Sequence, residues 1–171
     1  MTKGIAVTSA IITISGTTNE LVPGTMVQEQ VPLQLDILNR EVLLVYAIDL
    51  NVASPNAIAG VNTASQMSLS STSRTTVGNI GATNVLGATI KSIAAAGFID
   101  GGVGFTEISP ETPTSNALDY VGIISTNDFF VQVVGANNVA PVSGNWRMWC
   151  ARAKVTADIY AALVQGEVLS A

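Results

Sequence analysis

At 171 residues with 48% hydrophobic content, the chain suits a single domain (1–171) that buries its own core without a disulfide or metal staple. Charged residues make up only 11% of it, against about 25% in an ordinary soluble protein, and the formal net charge is -5. The seven cations are scattered, only Arg147, Arg152 and Lys154 lying close together, which excludes a clustered nucleic-acid-binding arm; with no histidine, Ser-His-Asp and Cys-His nucleophile activation and nearly all catalytic zinc ligand sets are excluded too.

Lys3 followed by GIAVTSAIITISG faintly resembles a signal peptide, but Thr8, Ser9, Thr13 and Ser15 interrupt it with a β-like rhythm. Ile5–Ser15 is therefore read as the first strand, ending at Gly16. Asn19–Thr25, with Pro23-Gly24, is a turn. Met26–Asp36 is extended but broken by Pro32, which removes a ladder donor and points to an edge strand or a bend. Residues 40–52 show the clearest alternation: Arg40, Val42, Leu44, Tyr46, Ile48, Leu50 and Val52 on one face, Glu41, Leu43, Val45, Ala47, Asp49 and Asn51 on the other. Val42, Leu44, Tyr46, Ile48 and Leu50 of the first set are expected to point into one core. The second turns from apolar to polar, as when an outer face leaves a contact and enters solvent.

Pro55–Asn62 reads as loop, and Ala64–Gly78, dense in Ser and Thr, as a hydroxyl-bearing strand or an ordered loop. Asn79–Gly87 is a turn-rich bridge. Ala88–Phe98 places Ile90, Ile93 and Ala94 at helical spacing, so it fits a short helix as well as a strand. Asp100-Gly101-Gly102 is a turn, Val103–Ile108 a short strand and Ser109–Asn116 a loop with two prolines. Three apolar runs follow, Tyr120–Ser125, Phe129–Val134 and Trp146–Val155, separated by turn residues and read as consecutive antiparallel strands. Thr156–Leu169 changes period, with Ile159, Ala162 and Leu163 as an apolar stripe, and predicts a C-terminal helix. A helix of this length is marginal alone in water, so it must pack on something; a subunit contact is expected. The sum is an all-β domain of about eight strands, a sandwich, jelly roll or barrel, with one or two short helices.

The chain carries no catalytic motif. Cys150 sits alone in an apolar strand and reads as a buried, inert thiol. Twelve carboxylates guarantee some accidental pairs, the raw material of glycoside hydrolysis, but none is specified. Gly97–Gly104 lacks the Lys of a phosphate-binding loop. Asn127, Asp128 and Asp100 offer oxygen ligands for calcium without the spaced acidic pattern that would hold it. No catalytic, cofactor or metal site is therefore assigned, and the chain is expected not to be an enzyme. Trp146 and Trp149, three apart on a strand, must lie on opposite faces, so at most one serves a sugar-stacking platform; one in the core and one at a subunit contact is the plainer expectation.

The stretches REVLLVYAIDL, DYVGIISTNDFFVQVVG and NWRMWCARAKV, joined by Ser-, Thr-, Asn-, Gly- and Pro-rich connections, resemble in style a single jelly-roll capsid protein of a tailless icosahedral virus. The resemblance implies a structural protein of the virion, self-assembling with copies of itself and other capsid proteins. Its beginning, MTKGIAVTS, has no basic arm, which implies no direct nucleic-acid binding; genome contact falls to another protein or to an internal membrane. Two alternatives stand beside it: a carbohydrate-binding or fibre-type sandwich module, and a subunit of an extracellular filament.

Overall fold

Short runs of β-branched and aromatic residues, cut by Gly, Pro, Asn and Asp, can satisfy their backbone amides only by pairing with one another. The computed structural model describes residues 4–95, 105–108 and 119–170, and over these the pairing builds two antiparallel sheets packed face to face. The elements are β1 (Ile5–Val7), β2 (Ile12–Asn19), β3 (Val27–Pro32), β4 (Glu41–Val52), β5 (Thr63–Ser70), β6 (Val85–Ala94), β7 (Phe105–Ile108), β8 (Gly122–Ile124), β9 (Asp128–Ala136), β10 (Ser143–Val155) and α1 (Ala157–Ser170). In the first sheet, β1 and β2 lie end to end along one edge of β10, followed by β4 and β8. The second runs β3, β9, β5, β6, β7. With β1 and β2 as one strand position, the first strand lies beside the last and the chain passes back and forth between the sheets. That is a jelly roll, with β7 extending the second sheet.

This topology corrects the expected neighbourhood of the last three runs. β8, β9 and β10 are consecutive in sequence but do not pair with each other: β8 pairs with β4, β9 with β3 and β5, and β10 with β4 and β2. The expected first strand is also two. Thr8–Ile11 breaks it, with Thr8 N–H donating to the Arg152 carbonyl and Arg152 N–H to Ser9 Oγ, while Gly16 lies mid-strand opposite Trp146 rather than ending it. Ala88–Phe98 is not a helix over its described part: β6 pairs with β5 and β7, and Ile90 and Ile93 take opposite faces of a strand whose flanks both need its amides. The turn at Asp100 and the loop Ser109–Asn116 lie outside the described residues.

The largest correction concerns β4. Its pairing with β10 shifts between Trp149 and Cys150, so that Ala47 faces Trp149, Val45 faces Cys150 and Tyr46 is an extra residue. A bulge reverses the parity of everything beyond it. Leu43, Val45, Ile48, Leu50 and Val52 therefore share the inner core with Met67, Leu69, Phe129, Val131, Val133, Trp146 and Met148. Val42 and Leu44, expected in that core, are buried on the outer face of the sheet, in a second cluster with Ala153 and Val155. Pro32 does end an edge strand, since among the described residues β3 pairs only with β9.

Candidate functional site: a polar groove and the surfaces around it

The outer face of the first sheet is divided. Over the half nearest the start of β4 and the end of β8, α1 supplies the cover. Ile159, Tyr160 and Leu163 pack on Val42, Leu44, Ala153 and Val155. At its start, Thr156 N–H donates to the Gly4 carbonyl, and Gly4 has a φ of 95°, a conformation that side-chain-bearing residues rarely adopt, with Ile159 Cδ1 packed 2.6 Å from where a Cβ would stand. At its end, Glu167 accepts from the Ser125 amide at 3.1 Å and hydroxyl at 2.8 Å. Burial pushes the Glu167 carboxyl above its ordinary range, and those two hydrogen bonds offset part of the rise. A helix of 14 residues is about 21 Å long, enough to cross four strands spaced about 4.8 Å apart, so it bridges from the β1 edge to the β8 edge. The expected stripe thus packs on its own domain, and Ala162, assigned to it from the sequence, is exposed.

The other half is open and polar. Two rows cross three strands: Ser15, Arg147 and Asp49, then Thr17, Asn145 and Asn51. With Gly16 and Trp146 they line a groove of about 400 Å³, within the size range of small-ligand sites. Thr17 Oγ1 donates to Asn145 Oδ1 at 2.8 Å, Lys91 Nζ reaches Asn51 Oδ1 at 3.3 Å, and the Arg147 guanidinium lies 5.8 Å from the centre of the half-buried Trp149 ring. Carboxylate, guanidinium, amide and hydroxyl groups set side by side can hydrogen-bond a hydroxyl-rich ligand. They include no nucleophile with an adjacent base.

The second sheet covers its outer face differently. Gln132, fully buried on that face, donates through Nε2 to Gln28 Oε1 and Ser70 Oγ, and accepts from Ser68 Oγ. Residues 71–84 fold over this network as a strap. Gly78 N–H donates to Ser68 Oγ, Arg74 N–H to Gln28 Oε1, Ser70 Oγ to the Thr72 carbonyl, and Arg74 Nη1 to Asn84 Oδ1. The Ser- and Thr-rich stretch is therefore both a strand and an ordered loop, divided at Ser70.

The ends of the sandwich carry exposed apolar groups on well-tied loops. At the end where β2 and β9 finish, Glu20, only 4% exposed, accepts from Gly24, Gly135 and Val142 amides, and Asn56 and Asn138 bind each other's loop. From this frame Leu21 and Val139 stand 83% and 75% exposed, with Val22 beside them. At the opposite end Leu38 is 95% exposed in a 3-10 turn, next to Ile37. There Arg152 pairs with Glu41 at 2.8 Å and donates to the Leu33 and Gln34 carbonyls.

The residues singled out from the sequence separate. Trp146 is in the core, edge-on to Phe129 at 5.5 Å between ring centres, and Trp149 is on the outer face, as their spacing required. Cys150 is buried, and burial raises its thiol to about 11. Asn127 and Asp128 side chains accept from the Leu35 amide and Gln30 Nε2; Asp100 lies outside the described residues. Arg147 lines the groove, whereas Arg152 and Lys154 stand at the other end of β10 beside Glu41, so the three do not form one patch. Sequence reading missed Gln132 and Glu20, whose only signal is a polar residue set within an apolar run or beside a strand end. No family model matches the chain, and no curated protein is significantly similar to it.

Proposed function

We propose that the protein is a structural protein that self-assembles into a viral capsid or comparable shell, with assembly rather than catalysis as its activity. The observation that carries this reading is the placement of exposed apolar side chains at both ends of the sandwich, Leu21, Val22 and Val139 at one and Ile37 and Leu38 at the other. A dimer closed by a twofold needs one such patch, whereas an extended lattice needs contacts in at least two directions. Loops held by Glu20, Asn56 and Asn138 present those groups without the ordering cost of a mobile segment. Few charges oppose the approach of copies. The viral setting rests on the resemblance in chain style together with the jelly-roll topology; genome contact is left to another protein or an internal membrane.

Sedimentation and negative-stain imaging of purified protein test this: hollow particles far larger than 17.6 kDa are expected, lost on Leu38→Asp. A clean monomer at high concentration overturns the reading. The groove favours a second reading, a saccharide-binding module, in which Arg147→Ala and Asp49→Ala abolish retention on a glycan array while leaving the particle size unchanged.

A further inference from the structure

We propose that the β2 edge of the first sheet is a self-pairing interface: two copies join antiparallel along β2, about a twofold axis, into one continuous ten-stranded sheet. The inference deepens the shell reading by naming one of its contacts.

An edge strand presents unpaired N–H and C=O groups, and edges are ordinarily guarded by charge, proline or shortness. Among the described residues, three of the four sheet edges follow that rule. The β3 edge carries Glu29 and Pro32, β7 has four residues and β8 has three. The β1–β2 edge does not. From Gly4 to Asn19 there is neither a charged residue nor a proline, and among the described residues the eight regular residues of β2 pair only with β10. Val7, Ile11 and Ile12 are exposed along it.

The occupant follows from the charge pattern. An isologous contact sets each residue against the same surface of a second copy, so any charge near the axis meets its like. A neutral edge meets itself without that penalty, and Thr13, Ser15 and Thr17 on the outer face form cross-strand hydroxyl pairs. The break at Thr8–Ile11 ends the regular run on one side and the buried Glu20 on the other. A twofold that keeps outer face beside outer face sets one residue against itself, so near-full overlap brings Ser15 onto the axis, pairs Thr13 with Thr17 and sets the two polar grooves side by side.

Native hydrogen exchange and sedimentation of the wild-type chain, Thr13→Lys and Ser15→Lys test the interface, with circular dichroism to confirm folding. Thr13 and Ser15 are exposed, so a lysine at either position meets no buried wall. The expected result is protection of all β2 amides in the wild type, including alternate ones that face away from β10, and loss of the dimer in both variants. If the variants fold and assemble as the wild type does, and the outward β2 amides exchange freely in its particles, the interface is overturned and the shell reading stands. A wild-type protein that stops at a dimer with protected β2 supports the interface and overturns the shell. A wild-type monomer with freely exchanging β2 overturns both. Should either lysine variant fail to fold, protection in the wild type alone decides.

Discussion

The two sheets cover their outer faces by opposite chemistry. The first lays an apolar helix over Val42, Leu44, Ala153 and Val155; the second ties down a polar strap through Gln132, Ser68, Ser70 and Gln28. Burying apolar area stabilises in proportion to what is covered and tolerates small shifts. A buried hydrogen-bond network contributes only about 0.5–1.5 kcal/mol per bond net, but losing one partner leaves the others unsatisfied. The helix thus supplies stability, whereas the strap supplies a single arrangement for residues 71–84. In the remaining half of the first sheet neither cover is present among the described residues, and that is where the groove lies.

The strongest way to break the comparison is to delete residues 157–171. A fully buried aliphatic side chain is worth about 1.5–3 kcal/mol, so uncovering Val42, Leu44 and Val155 together lowers the denaturation midpoint more than any single substitution below. The exposed patch should bind a hydrophobic dye. An unchanged midpoint would show that the helix does not cover its own sheet.

Next in size, Leu44→Ala in the full chain is expected to cost about 2–5 kcal/mol by chemical denaturation, since Leu44 is only 3% exposed. In the truncated chain the same change should cost little, while Leu50→Ala costs the same in both. This coupling separates the outer cluster from the inner core. Equal costs for Leu44→Ala in the two backgrounds would place it in the inner core after all.

Gln132→Ala should cost about 1–3 kcal/mol for each group left unpaired and should release the strap, read as faster amide exchange at Gly78 and Arg74, whose N–H groups bond the network. Loss of stability without faster exchange there would mean that the strap is held by other contacts.

The smallest effect is that of pH. Burial raises the Glu167 carboxyl above its ordinary value of 4.5, so the folded protein holds that proton more tightly than the unfolded chain. Its contribution is fully present below the unfolded value and is lost as pH rises through the folded one. Asp36 has the opposite sign: hydrogen bonds from the Asn39 side chain and amide lower it, so its contribution is lost on acidification through the folded value. Glu167→Gln should flatten the decline on the rising side of the Glu167 window and leave the acid limb unchanged. A wild-type profile without that decline would place Glu167 in solvent.

Much of the fold is legible from local rules. Val27–Pro32 as an edge, the runs now seen as β8, β9 and β10, the terminal helix and the opposite facing of Trp146 and Trp149 all follow from period, β-branching and proline. The candidate surfaces are less so. Gln132 reads in sequence as one polar residue in an apolar strand, and only the strap from residues 71–84 explains why it is there. Ser15, Asp49 and Arg147 are distant in the chain and meet only because β10 lies between β2 and β4.

Composition and short-range alternation were enough to determine a charge-poor β-sandwich with a terminal helix, because strand and helix periods are written in adjacent residues. Which strands became neighbours, where Tyr46 bulged and which of Val42 or Leu43 faced the core were decided by tertiary structure alone. A single extra residue in β4 inverts the facing of all that follows, and its position is set by the register against β10, about a hundred residues further along the chain.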